Sequence, residues 1–311
     1  MRGTLSRDIR APTLQDLYSP VTSRPLGFSD LHTNLVLNMV QYSQGNVNLV
    51  PEVAKTKTLG IVFSPSFVPR LSLALDYYDI SIDNAITNVA ANNAQVQREF
   101  EDSNGTSPYC ALFERPLPFS NRTPANFPTK TYTQGLNAAR SWTHGVDFGA
   151  NYRFDLADVV SSVPGVLALR GLVSYQPVLN SQTVKSLPAT HSAGINGNSK
   201  VRVNLNIAYS LGAFNLAVAE RWQSRQWFSD PRTNFDLRGR IPNYSYTDIS
   251  VNYRTDVGGH EVTPFLTIEN LFNKRPPIAG SGNSVPGLTY PSASGFDVIG
   301  RYFTVGLRGK F

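Results

Sequence analysis

Val201-Arg-Val-Asn-Leu-Asn-Ile-Ala-Tyr-Ser-Leu-Gly-Ala-Phe-Asn-Leu-Ala-Val-Ala219 alternates apolar and polar side chains almost without interruption. Val201, Val203, Leu205, Ile207 and Tyr209 take one parity; Arg202, Asn204, Asn206, Ala208 and Ser210 take the other. Successive side chains of a strand point to opposite faces, so the segment is a strand with one greasy and one wet surface. After Leu211-Gly212-Ala213 the pattern resumes, with Phe214, Leu216 and Val218 against Asn215, Ala217 and Ala219. The two runs form a hairpin with a tight connection.

The same period recurs along the chain. Leu71, Leu73, Leu75 and Tyr77 oppose Ser72, Ala74, Asp76 and Tyr78, and Val146, Phe148, Ala150 and Tyr152 oppose Asp147, Gly149, Asn151 and Arg153. Ile249, Val251 and Tyr253 oppose Asp248, Ser250, Asn252 and Arg254. Weaker versions lie near 55–64, 165–177 and 262–269, with the end of another at 2–7. The tail Arg301–Phe311 puts Phe303, Val305, Leu307 and Phe311 on one face and Tyr302, Thr304, Gly306, Arg308 and Lys310 on the other. This predicts about ten strands and an all-β chain.

The connections come in two sizes that alternate strictly. Short ones are Ser64–Arg70, Asp155–Pro164, Leu211–Ala213 and Asp256–His260. Long ones are Asp8–Ala54, Asp83–Ser141, Leu179–Ser199, Ser224–Asn243 and Asn270–Gly300. An up-and-down barrel in a membrane sorts its connections this way, short turns in the periplasm and long loops outside, whereas a soluble sandwich has no reason to. The reading is therefore an antiparallel transmembrane β-barrel. Asp76, Asp147, Arg153, Arg170, Arg202, Arg254, Glu269 and Arg308 fall on the wet parity, where a lumen tolerates them. Phe63, Tyr152, Phe154, Tyr209 and Tyr253 sit near strand ends on the apolar side, as interfacial girdles do.

Composition agrees and excludes other classes. The mean hydropathy of −0.21 offers no membrane helices, but a barrel needs only every second strand residue to be apolar. The net charge of +6 is spread singly rather than in a Lys/Arg block, which argues against nucleic acid. A single cysteine, Cys110, permits no internal disulfide and no cysteine metal cluster, and no cofactor or metal is implied. His32, His144, His191 and His260 fall in loops or near turns with no evident Ser/Asp partners, so an outer-membrane barrel hydrolase is disfavoured. A passive porin-like channel is the alternative. Residues 82–100, with Ile82, Ile86, Val89 and Val96, read as a short helix in an external loop, and the glycine-rich Gly280–Gly287 as loop rather than phosphate cradle. The first residues contain no apolar signal-peptide core, so an exported protein would have its leader elsewhere.

Ordered motifs carry a family resemblance: Ser6-Arg-Asp-Ile-Arg-Ala-Pro-Thr-Leu-Gln-Asp-Leu-Tyr18, Gly45-Asn-Val-Asn-Leu-Val-Pro-Glu52, Lys55-Thr-Lys-Thr-Leu-Gly60, the segment 71–84, Asn137-Ala-Ala-Arg-Ser-Trp-Thr-His-Gly-Val-Asp147, Ile268-Glu-Asn-Leu-Phe-Asn-Lys274 and the Phe311 ending. Residues 1–311 resemble the carboxyl-terminal part of a TonB-dependent receptor barrel. The resemblance implies a barrel of about 22 strands closed around an amino-terminal plug. Neither plug nor earlier strands occur here, so the chain is expected to be a truncated product or a segment of a longer frame. The related loop in many members carries a cysteine pair; Cys110 has no mate near Glu99–Phe100. The implied function is uptake of a scarce small-molecule ligand (siderophore, cobalamin or oligosaccharide) across the Gram-negative outer membrane, with TonB acting only through the plug. Outer-membrane lipid and the barrel-assembly machinery, which reads Phe311, are the other implied partners. Tyr78, Arg225, Trp227, Tyr246 and Tyr302 are the expected ligand contacts, with aromatic faces to stack and arginine to hold an anion.

Overall fold

A computed structural model describes residues 1–183, 188–233, 240–277 and 296–310. Ten strands form one antiparallel meander: β1 (Arg2–Arg10), β2 (Glu52–Phe63), β3 (Leu71–Ala90), β4 (Lys130–Asp155), β5 (Val166–Gln182), β6 (Val201–Leu211), β7 (Phe214–Gln223), β8 (Tyr244–Tyr253), β9 (His260–Glu269) and β10 (Tyr302–Lys310). Each pairs with its neighbours in chain order. Long and short connections alternate as the sequence predicts. Among the described residues β1 and β10 do not pair, so the sheet has two free edges.

Register turns alternation into two surfaces. Leu71, Tyr152, Leu169, Ile207, Val218, Ile249, Ile268 and Phe303 are successive cross-strand partners, an apolar row running over eight strands. Directly beside it runs Ser72, Asn151, Arg170, Asn206, Ala219 and Asp248, a polar row on the other face. A one-residue slip would turn a strand's polar side chains toward lipid, Arg170 of β5 among them, so register is strongly specified. Glu220 is an exception on the lipid side, opposite Leu205 and Thr247, and Thr247 Oγ1 donates to its carboxylate.

β3 and β4 continue well past the alternating cores found in sequence, to 20 and 26 residues. A tilted strand crosses a bilayer in about 9–11 residues, so their upper halves stand outside it. The predicted helix over 82–100 is corrected accordingly. Its Ile, Thr and Val residues up to Ala90 extend β3, as β-branched side chains favour, and only Ala94–Asp102 is helical, capped by Asn93 Oδ1 accepting from Gln95 N at 2.8 Å. The connection Asp8–Ala54 is also more than loop: it holds a helix at Leu14–Tyr18 and a hairpin, Thr22–Asp30 with Leu35–Gln44. Pro25, Gly27 and the unbroken run Leu35-Val-Leu37 hide that hairpin from a period-two reading.

The described buried clusters lie among the external loops and the strand ends that enter them. Phe28, Val89, Val96, Phe100, Tyr109, Leu112 and Phe113 form the larger one. The motifs at the top of β1 and β2 pin this lobe down. Thr13 and Asp16 form a reciprocal capping box on the short helix. Gly45 lies where an added Cβ would sit 2.5 Å from the Leu17 carbonyl oxygen. Asn46 Nδ2 donates to Gly135 O at 2.9 Å, and Asn137 exchanges two hydrogen bonds with Val50 at 2.7 and 2.8 Å.

Candidate ligand site in the external loops

The connections after β5 and β7 meet beyond the rim of the sheet. Trp227 N donates to Gly194 O at 2.7 Å and Asn196 N donates to Trp227 O at 2.8 Å, so the two loops are laced through backbone. Gln226 and Trp227 also pair with Ile241 and Arg240. Between them is a cavity of about 400 Å³ lined by Gly194, Lys200, Arg225, Trp227, Arg232 and Arg240, among others. The Arg240 guanidinium lies 3.9 Å from the Trp227 ring centroid. Gly194 adopts φ +80°, and the Lys200 stem packs where a Cβ would project. Gln226 is buried on the wall and accepts from Gly197 N at 2.8 Å, while its Nε2 has no partner among the described residues. Arg232 is neutralised by Asp230 at 2.9 Å. Burial pushes the Asp230 carboxyl up, but hydrogen bonds from the Arg232 side chain and backbone prevail and hold it below the usual carboxylate range. Lys200, Arg225 and Arg240 have no carboxylate partner among the described residues. The cup is cationic with one aromatic wall, suited to an anion bearing flat rings.

The sequence model of the family described as TonB dependent receptor-like, beta-barrel matches residues 1–271. The chain belongs to that family. This receptor barrel is accordingly a protein of the Gram-negative outer membrane. Solved structures share its fold. A mutant ferric enterobactin receptor of Pseudomonas aeruginosa in complex with enterobactin superposes with TM-score 0.62 at 17% identity, covering 98% of this chain and 37% of that one. The siderophore receptor PirA of Acinetobacter baumannii gives TM-score 0.56 at 14% identity, covering 99% and 38%. The chain thus spans well under half the length of these receptors. No curated protein sequence matches it significantly.

The receptor barrel brings together only part of the contact set expected from sequence. Arg225 and Trp227 share the cup. Tyr246 is 7% exposed in a second buried cluster with Ile241, Tyr244 and Phe296, and its hydroxyl accepts from Asp297 N at 2.9 Å. It lines a neighbouring cavity of about 200 Å³ with Arg202, Arg221 and Trp222. Tyr78 is on the lumen face of β3, opposite Gly145, and Tyr302 is on β10 opposite Glu269; neither lines the cup. Phe311 and the Gly280–Gly287 segment lie outside the described residues. Sequence reading missed Lys200, Gln226, Arg232 and Arg240. The available signal was the concentration of Arg225, Arg232, Arg238 and Arg240 within one long loop.

Proposed function

We propose that the chain supplies the ligand-capturing barrel wall of a TonB-dependent receptor that takes up an anionic, aromatic ferric chelate of the catecholate siderophore class. The observation that carries this reading is the cup, which Lys200, Arg225 and Arg240, without a carboxylate partner among the described residues, line together with Trp227. Negative charge on the chelate would meet the guanidinium groups, and its catechol planes would stack on the indole. The ferric enterobactin and siderophore receptors that share the fold support the same ligand class. Below the cup, the polar row Asn151, Arg170 and Asn206 would guide the ligand along the lumen once a plug, pulled by TonB, has moved. Capture and guidance need no covalent chemistry.

The test is equilibrium binding of ferric enterobactin to the full chain folded in detergent micelles, read by quenching of tryptophan fluorescence. Saturable quenching that is lost in the double variant Arg225→Ala/Arg240→Ala is expected. Equal binding by that variant, or equal binding of a cationic ferric hydroxamate, would overturn the reading.

A further inference from the structure

A second cavity, of about 540 Å³, belongs to the external lobe and is chemically unlike the cup. It is lined by the upper part of β4, by the 46–50 segment, and by the Ala94–Asp102 helix with the turn Pro108–Leu112 that follows it. Each of these pieces is fixed by the fold. The Asn46 amide binds Gly135 O and the Asn137 amide binds Val50, which ties the 46–50 segment to β4. Tyr109 and Leu112 hold the turn in the buried cluster with Phe28 and Phe100. The volume falls within the range of about 300–1,000 Å³ of small-molecule sites, which are usually formed before the ligand arrives.

The lining combines apolar surface with acceptors. Val50, Pro108, Leu136 and Ala138 supply the apolar part. The side-chain amides of Asn48 and Gln134 make no hydrogen bond among the described residues. Glu99 is the one charged residue among the described lining residues. An ionised carboxylate has about four acceptor sites, so Glu99 can take a further donor beside any contact it already makes. Burial, and after it the Glu99 charge, pushes the neighbouring Tyr109 phenol up to about 12, which keeps that hydroxyl neutral. In the cup, by contrast, Lys200, Arg225, Arg232 and Arg240 all contribute positive charge. An anion suited to the cup meets a carboxylate here.

We propose that this cavity binds a small organic cation, a primary ammonium group carried on an apolar body. An ammonium has three donors and no acceptor; Glu99, Asn48 and Gln134 supply the oxygens, and the apolar body lies against Val50, Pro108, Leu136 and Ala138. The site shares no lining residue with the cup, so it does not rest on the siderophore reading.

The full chain, folded in detergent micelles, is titrated with a fluorotryptamine or with the matching fluoroindolepropionate, which carries a carboxylate in place of the ammonium. Binding is read by fluorine NMR relaxation against protein-free micelles. Saturable binding of the ammonium probe is expected, with the carboxylate probe more than about tenfold weaker. Glu99→Gln lowers the affinity of the ammonium probe by about tenfold to a hundredfold. Ala111 is exposed where it lines the cavity, and Ala111→Trp fills the space from that side and removes binding without altering the buried cluster. Glu99→Lys transfers the preference to the carboxylate probe, a gain that impaired folding does not produce. Absence of saturable ammonium binding, equal affinity for the two probes, or wild-type ammonium affinity in either Glu99→Gln or Ala111→Trp would overturn the proposal.

Discussion

Arg115 grips Asp30 with two nitrogens, at 2.7 and 3.0 Å, and both side chains are almost entirely out of solvent. The pair joins two external loops 85 residues apart in sequence. Thr33 adds hydrogen bonds to the same carboxylate through its hydroxyl at 2.7 Å and its backbone at 3.2 Å. The guanidinium lies 5.1 and 5.4 Å from the Phe100 and Phe113 rings. Nearby, His32 Nδ1 is 2.7 Å from Glu101, tying the same hairpin to the Ala94–Asp102 helix. The external lobe is therefore a folded unit rather than a set of free loops.

Removing Arg115 strands the buried Asp30 charge. Arg115→Met should destabilise the lobe by about 3–5 kcal/mol, seen as faster hydrogen exchange in Thr22–Gln44 with the barrel amides unchanged. Burial raises the Asp30 pKa, but the Arg115 and Thr33 hydrogen bonds outweigh it and leave the carboxyl below its ordinary value. A depressed carboxylate stabilises above its unfolded pKa and loses that contribution as pH falls through the folded one. Lobe exchange corrected for intrinsic rate should stay flat from neutrality down to about pH 4, the ordinary aspartate region, and rise below it. A rise between pH 8 and 6 would contradict this assignment.

In the cup, each arginine should act through a charge-assisted contact of about 1.5–3 kcal/mol. Arg225→Ala and Arg240→Ala should each weaken ferric enterobactin binding by about tenfold to a hundredfold on that range. Arg240→Lys should recover only part, because an ammonium does not stack on Trp227 as a planar guanidinium does. Tyr302→Phe, outside the cup, should leave affinity unchanged.

Gly145 has no room for a side chain. An added Cβ would lie 2.5 Å from the Tyr78 hydroxyl and 2.6 Å from the Tyr175 carbonyl oxygen, where the β4–β5 register shifts. Gly145→Ala should cost about 1–3 kcal/mol through overpacking, measured as a lower urea midpoint. Combining it with Tyr78→Phe should restore only part, since the Tyr175 carbonyl belongs to the backbone.

The two faces are testable at adjacent positions. Val218 is in the apolar row, and Ala217 is on the lumen side between Ala208 and Ser250. Val218→Lys should destabilise the folded chain in lipid by about 2–4 kcal/mol, as for a cation near the bilayer midplane, and Ala217→Lys by much less. Equal costs would mean that parity has been misread.

The barrel strands, their two faces and the strict alternation of short and long connections were all legible in the amino-acid pattern. Period-two patterning is a local property, and lipid on one side and water on the other enforce it residue by residue. It also carried the family motifs, though not why Gly45, Asn46 and Asn137 are needed; that is a matter of contacts between a helix, a loop and the top of β4. Contacts between distant segments were needed to see that β3 and β4 rise beyond the membrane, that a hairpin and helix build a buried external lobe, and that Arg225 and Trp227 share a cup with Lys200 and Arg240 while Tyr78, Tyr246 and Tyr302 lie elsewhere. External loops answer to no lipid boundary and repeat no period. Their form is set by side chains far apart in the chain, such as Asp30 and Arg115, whose meeting no local pattern announces.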